Sequence, residues 1–198
     1  MSDRMDPPDP DAALMVAFQK GAEDAFEQLL DKYHRPIVNF IYKIVNNRGE
    51  AEELAQDVFL RVYRARDRYE PRARFAAWIY RIATNVSFKA ANRARRLRFW
   101  SPNSCDEAST VREAFPDYRP NAEDRLVEAE RGEAVRRAIR GLPKKEKLAI
   151  ILRRDEGLSY KEIAEVMNCT EAAVKTYIHR GKLHLRETVP GYLKKGRS

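Results

Sequence analysis

Residues 171 to 186 carry side chains suited to binding rather than to breaking bonds. If this stretch is a helix, Val174, Ile178, Gly181 and Leu185 form its inner stripe. Glu171, Ala172, Lys175, Thr176, His179, Arg180 and Lys182 are left for solvent or for a groove, and five of them are polar groups able to meet bases or phosphates. A second set combines cations with aromatics: Tyr69, Arg72, Arg74, Trp78, Arg81, Asn85, Lys89 and Arg93. From Arg72 to Arg98 there are eight basic residues and no acidic one, an imbalance that a merely soluble surface does not require. Cations follow a phosphate backbone and aromatic faces stack on unpaired bases, so this pattern suits a single strand. The opposing interpretation is that Phe75 and Trp78 are core and the cations are solvated. A third set is acidic: Glu52, Glu53, Gln56 and Asp57 gather ahead of Arg61 and Arg64. Glu53 and Asp57 lie one helical turn apart with like charge, which costs a few tenths of a kcal/mol unless a cation lies opposite. A basic protein partner would supply one; a solvated face near a helix N-terminus is the plainer alternative.

Bond-making chemistry finds no support. The chain has no glycine-rich phosphate loop, no nucleophile elbow and no Ser/His/Asp or paired-carboxylate arrangement with a supporting context. His179 and His184 fall in the last helical stretch and His34 lies beside Pro36, while Cys105 and Cys169 sit in no metal-ligand spacing. A non-enzymatic protein without metal, cofactor or disulfide is expected.

The elements needed to position these side chains are all helical. Ser159 with Glu162 makes a capping box for a helix whose inner face carries Ile163, Ala164 and Met167. Asn168 tolerates the left-handed backbone of a tight turn, and Thr170 can cap the helix that follows, giving a helix-turn-helix of the kind that lays its second helix in the major groove. Upstream, Phe26, Leu29, Leu30, Tyr33, Ile37, Phe40, Ile41 and Ile44 keep helical spacing over two helices or one kinked at Pro36. Further helices are expected from about Glu50 to Arg66, with Ala51, Leu54, Ala55, Val58 and Val62 inside, and from about Arg74 to Arg98, separated by a loop around Pro71. Residues 101 to 124 lose the periodicity and hold six acidic residues against Arg112 and Arg119, the composition of a flexible acidic linker. Helices from about Ala122 to Arg140 and from Lys144 to Glu156, the latter with Gly157 as its cap, lead into the helix-turn-helix. No strand is expected. The fold class is all-α: two small helical domains at 12–99 and 122–190, a disordered N-terminus at 1–11, a linker at 100–121 and a basic tail at 191–198.

Composition agrees with a nucleic-acid partner. The 198 residues carry a net charge of +8 with 34% charged side chains. The excess is local, since residues 22–70 hold ten acidic and eight basic side chains, whereas Glu171 to Ser198 holds seven basic against Glu171 and Glu187. No apolar run approaches the ~20 residues that cross a bilayer, and the polar, proline-rich start does not read as a signal peptide, so a cytoplasmic protein is expected. These observations leave open a subunit that works within a larger machine and a free-standing regulator of duplex DNA; exposed Glu53, Gln56 and Asp57 are needed only by the first.

The order of motifs resembles a known family. Residues 25–33 (AFEQLLDKY), 52–65 (EELAQDVFLRVYRA), 75–85 (FAAWIYRIATN) and the segment from Gly141-Leu142-Pro143 onward are similar to the extracytoplasmic-function group of bacterial RNA polymerase sigma factors, over about residues 12–95 and 122–188. The resemblance implies a promoter-melting domain and a domain reading the upstream promoter element. It implies that Glu53, Gln56, Asp57, Phe59 and Leu60 dock on the clamp helices of the largest polymerase subunit. Tyr69, Arg72, Arg74, Trp78, Arg81, Asn85, Lys89 and Arg93 would open and capture the downstream element, and Lys175, Thr176, His179 and Arg180, with Lys182 beside them, would enter the major groove. Asn168 stands where Gly is usual, and Glu171-Ala172-Ala173 replaces a Pro-Val-Gly-like start, a departure that bears on base preference. Core RNA polymerase, promoter DNA as duplex and as melted strand, and an anti-sigma protein are the implied partners; no segment beyond Ser198 is expected to inhibit in cis.

Overall fold

In the computed structural model the described residues are 9–100, 135 and 137–189, with side chains described through 93 in the first stretch. They fall in two compact units. All regular structure among them is helical.

The first unit opens with α1 (Pro10–Gln19), capped by Asp9 and begun by a proline whose missing N–H costs nothing at that position. The expected disordered N-terminus thus reaches too far: Pro10 and Asp11 are helical, and Asp11 is buried. Residues 1–8 lie outside the described residues. Helix α2 (Glu23–Val45) continues through Pro36 as one element and ends at Asn46, whose φ of 58° is the left-handed conformation that stops a helix. Asn47 then caps α3 (Arg48–Arg64) by accepting from the Glu50 N–H at 3.0 Å. A short 3₁₀ turn at Arg66–Arg68 leads through an irregular loop to α4 (Phe75–Trp100). Met15 and Phe18 from α1, Leu29, Ile37, Phe40 and Ile41 from α2, Ala55, Val58 and Val62 from α3, and Phe75 and Ile79 from α4 form one core. Edge-to-face contacts such as Phe40 with Tyr80, centroids 5.1 Å apart, add specificity to it.

In the second unit, helical residues 137–141 precede α5 (Lys144–Arg154), α6 (Tyr160–Met167) and α7 (Glu171–Thr188). Gly157, with φ of 67°, turns the chain out of α5. Leu148, Ile151 and Leu152 of α5, Ile163 of α6 and Val174 and Ile178 of α7 are buried, and Leu185 of α7 packs in a cluster with Ile150 of α5, Ala138 and Leu142. Helix α7 approaches α5 at Gly181, where a Cβ would stand 2.6 Å from Ile150 Cδ1 and 3.4 Å from Glu146 Cβ. The expected linker at 100–121, most of the helix expected from 122 and the tail at 191–198 lie outside the described residues, apart from the end of α4 at Trp100.

Candidate nucleic-acid and polymerase surfaces

The helix-turn-helix is built by local polar bonds. Ser159 N–H donates to Glu162 Oε2 at 2.7 Å and Glu162 N–H donates to Ser159 Oγ at 3.2 Å, the reciprocal capping box that starts α6. Asn168 takes φ of 49° in the turn, and Thr170 Oγ1 accepts from Ala173 N–H at 3.2 Å to start α7. Burial of Val174, Ile178, Gly181 and Leu185 fixes the rotation of α7 about its axis. That rotation leaves Lys175, Thr176, His179, Arg180 and Lys182 exposed. Thr176 donates its hydroxyl to the Ala172 carbonyl at 2.9 Å, so its free lone pairs can still accept. The Lys175 ammonium lies 6.0 Å from the Tyr160 ring and the Arg153 guanidinium 5.2 Å from it, so cations from two helices flank one aromatic of the third. At the far end, His184 Nδ1 lies 2.7 Å from the buried Glu146 carboxylate and ties α7 to α5.

Helix α4 carries the second surface. Arg81, Asn85, Lys89 and Arg93 are exposed and recur every fourth residue, so they form one row about 18 Å long. Trp78, partly buried, stands at its N-terminal end between Tyr69 (centroids 5.0 Å) and Phe75 (5.6 Å). Arg72 and Arg74 are exposed, Arg72 paired with Glu70. Tyr69 departs from the expected role: only 5% exposed, it is the back of the aromatic wall rather than a ring offered to a base. Burial first, then the charges of Asp9 and Asp11, pushes its hydroxyl pKa up to about 12. Its Oη is buried without a hydrogen-bond partner.

Two residues not singled out from the sequence reach this loop. Asp9 Oδ2 accepts from the Phe75 N–H at 2.6 Å, and Gln19 Nε2 donates to the carbonyls of Asp67 at 3.2 Å and Tyr69 at 3.4 Å. These contacts span 48 to 66 residues of sequence, and no local pattern encodes them.

On α3, Glu53 and Gln56 are exposed, and Leu60 is 52% exposed beside an exposed Tyr63. The cation that the Glu53–Asp57 repulsion calls for comes from the same helix: Arg61 donates to both Asp57 oxygens at 3.1 and 2.9 Å. Phe59 does not belong to the outer face. It is 6% exposed and stacks on His34 with centroids 6.2 Å apart, so it anchors α3 to α2, while Leu60 is left as the apolar residue on the exposed face. The third-turn position of Phe59 next to Val58 and Val62 puts it at the edge of the buried stripe.

Two helical units, one bearing a cationic row against an aromatic wall and one ending in a helix-turn-helix, define an all-helical nucleic-acid-binding protein. Residues 29–97 match the Sigma-70 region 2 family and residues 132–185 the Sigma-70 region 4 family. The chain is 33% identical over 176 residues to the ECF RNA polymerase sigma factor SigW of Bacillus subtilis, covering 85% of this chain and 91% of SigW. It is 31% identical over 178 residues to the ECF RNA polymerase sigma-E factor of Escherichia coli K12, covering 87% and 90%. Among solved structures, the sigma factor RpoE bound to the anti-sigma factor NepR, from Bartonella quintana, superposes with a TM-score of 0.68 at 22% identity, covering 87% of this chain and 98% of that one. CnrH in complex with the cytosolic domain of CnrY gives 0.65 at 21%, covering 89% and 95%. The chain belongs to the extracytoplasmic-function group of RNA polymerase sigma factors. It therefore acts in promoter recognition and transcription initiation as a polymerase subunit, which decides against a free-standing regulator.

Proposed function

We propose that the exposed row on α4 is the surface that opens the promoter and holds the melted strand. The observation that carries this is the placement of Arg81, Asn85, Lys89 and Arg93 on one line starting at the Trp78–Tyr69–Phe75 wall. The cations follow the backbone of an unpaired strand, and a flipped base rests against Trp78 with the Asn85 amide offering both a donor and an acceptor to its edge. In the second unit, Lys175, Thr176 and His179 address base edges of the upstream element in the major groove, and Arg180 and Lys182 address phosphates. Glu53, Gln56, Asp57 and Leu60 form the polymerase contact, an acidic rim around an apolar residue. The chain contributes no catalytic group; the chemistry of RNA synthesis is the polymerase's. Action in the cytoplasm beside the polymerase follows from the likeness to the sigma factors SigW and sigma-E. An anti-sigma protein is the proposed restraint, on the strength of two structural neighbours that are complexes of this kind.

The test is Asn85→Ala in reconstituted holoenzyme. Permanganate reactivity of promoter thymines is expected to fall on native duplex, with polymerase binding and upstream-element binding retained, and a pre-melted promoter is expected to restore initiation in part. Losing one hydrogen bond to the edge of the captured base costs ~0.5–1.5 kcal/mol, so the loss should lie between about twofold and tenfold. Wild-type reactivity in the variant would leave α4 as a phosphate-binding face alone.

A further inference from the structure

The start of α4 lacks a cap of its own. Arg74, the residue before it, has no side-chain acceptor, and the first turn holds no acidic residue. The missing acceptor arrives from the other end of the unit: Asp9 Oδ2 takes the Phe75 N–H at 2.6 Å while Asp9 Oδ1 takes the Asp11 N–H at 3.2 Å. One carboxylate thus caps α1 and α4 together, and its charge faces the positive end of both helix dipoles. The carboxylate is itself held in place through its neighbour. Asp11 is buried and accepts from Tyr33 Oη at 2.6 Å and from Lys32 Nζ at 2.5 and 2.7 Å, which fixes the first turn of α1 to the middle of α2.

About 15 Å further along α1, Gln19 holds the other end of the same loop. Its amide donates to the Asp67 and Tyr69 carbonyls, on the N-terminal side of residues 69–74. Beside it, the Arg66 guanidinium lies 5.4 Å from the Phe18 ring and pairs with Glu23 at 3.3 Å. The loop carrying Arg72 and Arg74 is therefore clamped at its entry by Gln19 and at its exit by Asp9. Within the loop, the Arg72 N–H donates to the Glu70 carbonyl at 2.8 Å, and the Arg72–Glu70 ion pair is local.

We propose that α1 is a brace for the strand-capturing loop, with Asp9 and Gln19 as positioning residues that set where Arg72, Arg74 and Trp78 stand. The proposal rests on the reading of residues 69–93 as the melting surface. Both residues act through the loop backbone and the α4 N-terminus, so their contribution is made before DNA arrives: it removes the ordering cost of the loop from the capture step.

The experiment compares Asp9→Asn, Gln19→Ala and Asn85→Ala in the full chain assembled with core polymerase. Asparagine replaces one of the two acceptor oxygens by an NH2 donor, so Asp9→Asn cannot hold the Asp11 and Phe75 N–H groups together and loses the shared cap. Asp9→Asn and Gln19→Ala are each expected to lower permanganate-detected opening on native duplex about two- to tenfold, the scale of one lost hydrogen bond. Polymerase affinity is expected to stay at the wild-type value, Asp9→Asn to lower the melting temperature by no more than the few degrees that a helix cap is worth, and a pre-melted promoter to restore initiation. Should Asp9→Asn fail to fold, Gln19→Ala, at a partly exposed position, carries the test alone. Normal opening in both variants beside a defective Asn85→Ala overturns the brace and leaves the melting surface standing. A parallel fall in melting temperature and polymerase binding also overturns it, because Asp9 and Gln19 would then be fold-stabilising residues only. Normal opening in all three variants overturns the melting surface, and the brace with it.

Discussion

Replacing Tyr69 by Phe separates the two roles available to the aromatic wall, shape and hydrogen bonding. The hydroxyl is buried with no partner, so the folded chain carries the desolvation cost of a polar group that gains nothing in return, ~1–3 kcal/mol for a group of this kind. The phenylalanine ring keeps the contacts to Trp78 at 5.0 Å and to Phe75 at 6.2 Å. Near neutral pH the variant is expected to be as stable as the wild type or up to ~1 kcal/mol more stable, the gain being limited by the small void left by one oxygen. The alkaline limb gives an independent reading. The folded pKa is raised from 10.0 to about 12, so the stabilisation tied to the neutral phenol is fully present below pH 10 and is lost as pH rises through 12. Two pH units correspond to roughly 3 kcal/mol at most. Tyr33, whose hydroxyl donates to Asp11 and is held above its ordinary range by burial and that bond, adds a loss that begins at the same pH 10 and runs on to higher pH, equally in both proteins. Urea unfolding followed by tryptophan fluorescence isolates this unit, because Trp78 and Trp100 both lie in α4. Between pH 10 and 12 the Tyr69→Phe chain should lose less stability than the wild type, and its holoenzyme should open promoters normally. A loss of more than ~1 kcal/mol at neutral pH, or an unchanged alkaline slope, would refute the burial argument. Normal stability with defective opening would instead place the hydroxyl on DNA.

Three further outcomes follow from the surfaces. Glu53→Lys combined with Asp57→Lys should abolish holoenzyme formation in a pull-down of core polymerase, while helicity is kept; loss of the exposed Arg61–Asp57 pair costs the fold only about 0.5 kcal/mol, and unaltered binding would remove α3 from the polymerase contact. Lys175→Ala should relax sequence preference at the upstream element, whereas Arg180→Ala should weaken all sequences about equally, as read by competition binding at fixed salt; equal, sequence-blind losses would show the two roles misassigned. Gly181→Ala should destabilise the second unit by about 1–3 kcal/mol in thermal unfolding, because the added methyl meets buried Ile150 at 2.6 Å and forces it from its rotamer; an unchanged midpoint would mean that α5 and α7 have slack at their closest approach.

The helix-turn-helix was legible because its instructions are local. Ser159 with Glu162, Asn168 and Thr170 each act within three or four residues, and every one adopts the expected bond or backbone angle. The stripe Val174, Ile178, Gly181 and Leu185 likewise fixes a face by periodicity alone. Periodicity placed α2, α3 and α4 within a few residues of their ends, although whether Pro36 divides α2 is decided by what packs around it, and the helix runs through. It failed where a side chain sits at the edge of a stripe. Phe59 follows Val58 and turns inward against His34, whereas Leu60, one residue on, turns out; both are apolar, and only the neighbouring helix distinguishes them. Tyr69 failed for the same reason, since a loop has no period from which to read a face.

Helix α1 was the least legible element, and the reason is physical. Its sequence begins in a run of Asp and Pro that by composition alone reads as disorder, and its 10 residues are too few to be stable in isolation. What orders it is tertiary: Met15 and Phe18 are fully buried in the core, Asp11 is bonded to Tyr33 and Lys32, and Asp9 shares its carboxylate with a helix whose first residue is Phe75. The same acidic residues that suggest a solvated tail are the acceptors for buried and helix-terminal donors. Those donors lie more than 20 residues away in sequence, so the chain must fold before the carboxylates have a reason to be there. Such dependence runs in both directions. An α1 held only by the finished core can in turn hold the loop at 69–74 only once that core exists, which couples the geometry of the proposed melting surface to the integrity of the whole first unit.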